Sequence, residues 1–231
     1  MADKVIDKAY GSIPHLSTSK MSQQADKKIH MGQELLLTSK TRDWRDLIIV
    51  TEKVDGSCVS VINKEVRFIS LSRAGYNTDS SPYEQHRYFT KYMFNNLELF
   101  SWLPEGWRVC GEWCAQAHGT LYDITHESPF VAFDIFNSNN ERILFLDFIK
   151  LCSKHGIPTV PILHIGQPIS INNAIKLLGK GHYGYPEQPE GFVYRLEREG
   201  KVEFLAKWVR SDKEDGKYMK QQIWNKGFIY E

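Results

Sequence analysis

Along the chain, apolar residues alternate with polar ones, or crowd into short runs, at 46–53, 57–63, 66–72, 108–113, 130–136, 191–196 and 202–209, and this period of two predicts strands. The stretches 82–99, 141–155 and 171–178 space their apolar residues for helices, with Ser170 placed to cap the last and Gly179 to stop it. Strands outnumber helices and many are separated by short turns. That pattern predicts an α+β fold of antiparallel sheets flanked by helices rather than a doubly wound βαβ fold. No Gly-rich phosphate loop is present, so a nucleotide would have to be held by side chains on strands. Residues 179–189 read as a loop, and no repeat or linker divides the sequence, so one domain spanning 1–231 is expected.

Composition narrows the function classes only a little. With 42% hydrophobic and 13% aromatic residues the chain can bury one substantial core. A formal net charge of +1 gives no overall attraction for polyanions, so any nucleic-acid surface must be a local patch. No stretch approaches the ~18 apolar residues a membrane span requires, and no apolar run follows the first residues, so a soluble intracellular protein without membrane contact is expected. Cys58, Cys110, Cys114 and Cys152 lack the spacing of a secreted disulfide framework and read as free thiols. Cys110, Cys114 and His118 have no second ligand pair, so no zinc is expected.

Candidate chemistry begins at Glu52-Lys53-Val54-Asp55-Gly56, where an apolar run ends in a lysine, an acid two residues on and a turn-permitting glycine. Period-two geometry puts Lys53 and Asp55 on one face. Alone, such a pentapeptide is commonly a solvated strand end. It has company, however: Gly111-Glu112-Trp113, Phe133-Asp134-Ile135-Phe136, Glu190-Gly191-Phe192-Val193-Tyr194-Arg195 and Ala206-Lys207-Trp208 each place an acid or a lysine at the edge of a predicted strand.

In this order the five segments resemble the motifs of the lysine-dependent nucleotidyltransferases, the superfamily of DNA ligases, RNA ligases and mRNA capping enzymes. Within it the chain looks like the phage RNA ligase 2 group. Arg73, in Ser70-Leu71-Ser72-Arg73-Ala74-Gly75, follows the lysine at that group's interval, and Ser12-Ile13-Pro14-His15-Leu16 is similar to a segment of related RNA ligases. The likeness runs from about residue 13 to 210 and implies the ATP-grasp-like adenylylation fold of these ligases.

What the resemblance implies is an ATP-dependent RNA ligase. Lys53 would take AMP from ATP and pass it to a 5′-phosphate end, which a 3′-hydroxyl then attacks to seal the strand, whether at RNA ends or at a nick in an RNA-containing duplex. The catalytic set would be Lys53, Asp55, Glu190 and Lys207. Glu52, Lys53, Arg73, Glu112, Phe133, Glu190 and Lys207 would hold the nucleotide, with Glu52 at the adenine edge, Glu112 on the ribose and Phe133 stacked on the purine. Glu190 and Asp134 would hold Mg²⁺ or Mn²⁺. A lysine attacks phosphorus only as a neutral amine, and its ordinary pKa is about 10.4, so nearby positive charge from the metal and Lys207 is expected to depress it. Arg73 would grip a nucleic-acid phosphate or ribose.

Two departures qualify this picture. The group usually carries two lysines at alternate positions of its last strand. Here the partners of Lys207 on that face are Leu205 and Val209, leaving Arg210 or Lys201 as substitutes. The tail, 210–231, is too short for an OB-fold or other appended domain, and its Lys213, Lys217 and Lys220 lie at helical spacing where they could track a phosphate backbone or simply face solvent. A DNA ligase, a capping-type transferase and an end-binding module that holds ATP without completing ligation stay open as alternatives.

Overall fold

The computed structural model describes residues 3–21, 26–213 and 222–229. In chain order the elements are α1 (Met31–Thr38), β1 (Leu47–Lys53), β2 (Ser57–Lys64), β3 (Arg67–Ser72), α2 (Glu84–Asn95), β4 (Arg108–Trp113), β5 (Phe130–Phe136), α3 (Phe145–Lys154), β6 (Ile162–Gly166), α4 (Ile171–Leu178), β7 (Gly191–Arg198) and β8 (Lys201–Val209), with one 3-10 turn at Leu97–Leu99. The fold is α+β. Its strands form two four-stranded antiparallel sheets, ordered β6-β1-β7-β8 and β3-β2-β4-β5.

Each sheet buries one face under helices. Ile48 and Val50 of β1 and Phe192, Tyr194 and Leu196 of β7 pack with Leu37 of α1 and with Ala174 and Leu178 of α4. Val59 and Val61 of β2, Val109 and Trp113 of β4 and Phe130 of β5 pack with Phe89 and Met93 of α2 and Phe148 and Cys152 of α3. Ser170 caps α4 as expected, accepting from the Asn173 N–H at 3.2 Å, and Gly179 follows the helix at φ +54°. No helix among the described residues is long and apolar enough to cross a membrane.

Two elements escaped the apolar pattern. Helix α1 is short, with only Leu37 buried, and β6 is an edge strand with no fully buried residue, so neither needs a regular apolar face. The third predicted strand begins one residue late, because Glu65 (φ +53°) and Val66 (φ +60°) form the β2–β3 turn, held by the Glu105 carboxylate on both N–H groups at 2.8 and 3.2 Å.

Candidate active site

Strand register assembles the site. Lys53 lies opposite Gly191, and Thr51 opposite Val193, which in turn faces Lys207 across β7–β8. Lys53, Thr51, Val193 and Lys207 therefore share one face of the first sheet. A Cβ on Gly191 would sit 1.9 Å from the Trp208 carbonyl oxygen, so only glycine lets β7 come this close to β8 beside Glu190. The second sheet contributes Glu112, opposite Cys58 on β2, and Phe133 of β5. Between these surfaces lies a cleft of about 600 Å³, lined by Glu52, Lys53, Asp55, Arg73, Glu112, Phe133 and Lys207 among others.

At the cleft, Lys53 Nζ donates to Glu190 Oε2. Burial alone would lower the Lys53 pKa, but the carboxylates of Glu190, Glu112 and Asp55 outweigh it and raise the pKa above the usual lysine range. The expected depression rests on a bound divalent cation as well as on Lys207; among the protein's own groups the three acids dominate at Lys53 and favour its charged form. The carboxylates show the converse strain. Asp55 and Glu112 are both pushed up to about 7, first by burial, with Glu190 adding repulsion in each case. Lys207 is lowered, by burial and then by Lys53.

The glycine of the lysine motif serves packing as well as turning. Gly56 N–H donates to Glu112 Oε1 at 3.0 Å, and a Cβ there would approach the Trp113 carbonyl oxygen to 2.5 Å. Asp55 is anchored on all sides. Its N–H donates to the Tyr122 hydroxyl at 2.9 Å, while its Oδ2 accepts from Thr120 N–H at 2.9 Å and from Lys213 Nζ at 2.6 Å. Glu52 is buried; its Oε2 accepts from His182 N–H at 2.7 Å, and its Oε1 has no hydrogen-bond partner although the side chain borders the cleft. The 12–16 segment runs beside β8, with Lys207 N–H donating to Pro14 O and Leu16 N–H to Lys207 O, both at 2.9 Å. Arg73 Nη2 donates to Ser12 Oγ at 3.1 Å and Gly11 O at 3.3 Å, tying the same segment to the far wall.

Several expected positions are placed elsewhere. Asp134 does not line the cleft: it is buried, with Oδ1 accepting from Arg195 Nη1 at 2.6 Å and Oδ2 from Tyr10 Oη at 2.7 Å and Arg142 Nε at 2.9 Å. Both of its oxygens are engaged by protein donors, so the metal-ligand role expected of it is withdrawn. A bulge turns Asp134 toward the first sheet: Gly111 pairs with Ala132 and Cys110 with Asp134, so Phe133 is the extra residue, and Asp134 shares the face of Cys110 and Phe136 instead of the helix-covered face of Ala132 and Ile135. Lys213, expected on a solvent-facing stripe, is 6% exposed and bound to Asp55 and to the His118 carbonyl at 2.9 Å, so it cannot track a phosphate backbone. Lys217 and Lys220 lie outside the described residues. Of the proposed substitutes for a second lysine, Arg210 pairs with Asp212 at 2.8 Å and Lys201 sits at the opposite end of β8; neither lines the cleft, whereas Leu205 does.

Arg195 was missed as a structural residue. An arginine two positions beyond Val193 in an apolar strand must find buried partners, and that was the available signal. It pairs with Asp134 and with Glu197 at 2.7 Å, joining β7 of one sheet to β5 of the other.

Two antiparallel sheets thus enclose a cleft with a lysine, three acids and a second lysine on its walls. A family model described as RNA ligase matches residues 46–209, and the chain belongs to that family. Solved structures share the fold at low identity. An archaeal ATP-dependent RNA ligase is 16% identical (TM-score 0.52), covering 87% of this chain and 48% of its own. A Naegleria gruberi RNA ligase variant with AMP and Mn is 13% identical (TM-score 0.54; 90% and 59%). A candidate ATP-dependent DNA ligase from Aquifex aeolicus is 16% identical (TM-score 0.52; 87% and 49%). The chain thus spans about half the length of these proteins. No curated protein matches it significantly.

Proposed function

We propose that the chain is an ATP-dependent RNA ligase acting through a lysyl-AMP intermediate on Lys53. The observation that carries this is the convergence of Glu190, Glu112 and Asp55 on the Lys53 ammonium within a cleft also walled by Phe133 and Lys207. Glu52, with a buried and unpartnered Oε1, suits a donor on the adenine edge, and Phe133 offers its ring for purine stacking. Lys207 on the cleft face supplies positive charge for phosphate oxygens.

The acids beside Lys53 are oxygen donors of the kind a hard divalent cation, Mg²⁺ or Mn²⁺, takes, and Asp55 and Glu112 are raised by burial and by Glu190, which such a charge would offset. Among the described residues no three His, Cys, Asp or Glu side chains are grouped to hold an ion. Such an ion supplies charge neutralisation on the phosphoryl group. The chain's own part is to release the proton from Lys53, for which Glu190 is the group already in hydrogen-bond contact. The amine lone pair then forms the N–P bond at the α-phosphorus while the α–β P–O bond breaks and pyrophosphate departs. The substrates are read as RNA ends or a nicked RNA-containing duplex, and 1–231 as a single adenylyltransferase domain.

Incubation with α-labelled ATP and Mg²⁺ tests the reading. Label that survives denaturation is expected, and Lys53→Ala should lose it entirely. Retained label in that variant would remove Lys53 as nucleophile, and absence of label from the unaltered chain would leave a binding module. Preference for GTP would point to capping chemistry.

A further inference from the structure

The cleft does not end at the residues that face the nucleotide. Its wall continues over the turn after β3 and the segment leading into α2, where Arg73, Tyr76, Asn77, Tyr83 and His86 line it. The turn is fixed: Ser72 N–H donates to Tyr76 O and Gly75 N–H to Ser72 O, both at 2.8 Å, and Lys4 Nζ donates to Ala74 O at 2.6 Å. Gly75 has φ +83°, and a Cβ there would lie 2.1 Å from the Ile6 carbonyl oxygen, so the first residues clamp the turn from outside. The Lys4 ammonium stands 4.5 Å from the Tyr76 ring centroid. Tyr83 meets His86 edge-on at 5.5 Å, and the Ser81 hydroxyl and His86 Nδ1 share a hydrogen bond of 2.8 Å.

Large rings normally go inside, yet Tyr76 is 39% and Tyr83 64% exposed while both border the cleft. Tyr76, with the Lys4 ammonium over one face of its ring, and Tyr83 border a cleft that Arg73 also lines, and they match the combination of stacking platforms and positive charge that binds single-stranded nucleic acid. We infer that Tyr76 and Tyr83 form a stacking site for an unpaired nucleobase of the polynucleotide strand whose end is presented to Lys53. Stacking on an aromatic face tolerates any base, so the site confers strand binding and not sequence preference. This inference rests on the ligase reading above and adds to it the part of the cleft that takes the strand instead of ATP.

The full chain can test it with a 5′-phosphorylated single-stranded oligoribonucleotide carrying a 3′ fluorophore, read by anisotropy, alongside lysyl-AMP formation from labelled ATP. Because both rings are substantially exposed, their removal should leave the fold intact. Tyr76→Ala and Tyr83→Ala are each expected to weaken oligonucleotide binding about fivefold or more, while label uptake from ATP stays as in the unaltered chain and Tyr83→Phe binds normally. Unchanged binding in both alanine variants overturns the inference. So does a Phe variant as weak as the Ala variant, which would make the hydroxyl the contact, or an equal loss of lysyl-AMP formation, which would assign the rings to ATP. Failure of the unaltered chain to take up label is a separate result, which overturns the ligase reading itself.

Discussion

His15 shows how one residue can report on the charge of the whole site. It is buried, its Nδ1 shares a 2.7 Å hydrogen bond with Ser19, and its backbone bridges to Lys207. Burial, and then the Lys207 charge, pull its pKa down to about 4 from 6.5. The folded state therefore refuses a proton that the unfolded chain accepts. The resulting stability is fully present above about pH 6.5 and is lost as pH falls through 4. His15→Asn should flatten this acid limb by about 2 kcal/mol in denaturant titrations at pH 4 and pH 7. An equally steep limb in the variant would assign the acid sensitivity to other groups. At Lys53 the surroundings act in the opposite sense, since Glu190, Glu112 and Asp55 favour its charged form. Its identity was readable from the motif. Its protonation was not, since that depends on carboxylates brought in from β4 and from the residue preceding β7.

At the scale of elements, the β2–β3 hairpin carries a visible cost. Its two-residue turn needs positive φ at both positions, yet these are Glu65 and a β-branched, solvent-exposed Val66. Val66→Gly should raise stability by about 1 kcal/mol, seen as a higher denaturant midpoint with unchanged slope. No gain would mean that the Glu105 hydrogen bonds already offset the strain. Strands β1, β2, β4, β5, β7 and β8 were legible because each buries apolar residues on a helix-covered face. Edge strand β6 was not, because its place depends on pairing with β1. The bulge at Phe133 was equally illegible: an extra residue in a ladder leaves no mark on a run as apolar as Phe130–Phe136, but it turns Asp134 from the helix-covered face to the face where it meets Arg195 and Arg142.

Over the whole molecule, the two sheets are tied across the cleft floor by one buried ionic cluster. Arg195 of β7 pairs with Asp134 of β5, and Asp134 also takes Arg142 and the Tyr10 hydroxyl. Removing one partner strands a buried charge, so Arg195→Met should lower stability by about 3 kcal/mol or more in chemical denaturation. A loss under 1 kcal/mol would show that Arg142 alone satisfies Asp134. The sequence by itself determined the α+β class and most of the strands, and singled out Lys53, Glu112, Glu190 and Lys207 as candidates, because apolar periodicity and ordered short motifs are local properties of a chain. Only the tertiary structure decided which charges meet: that Asp134 is a strut, that Lys213 is spent on Asp55, and that two tyrosines extend the cleft. Burial and ionic partners are set by strands far apart in sequence, and no local pattern records them.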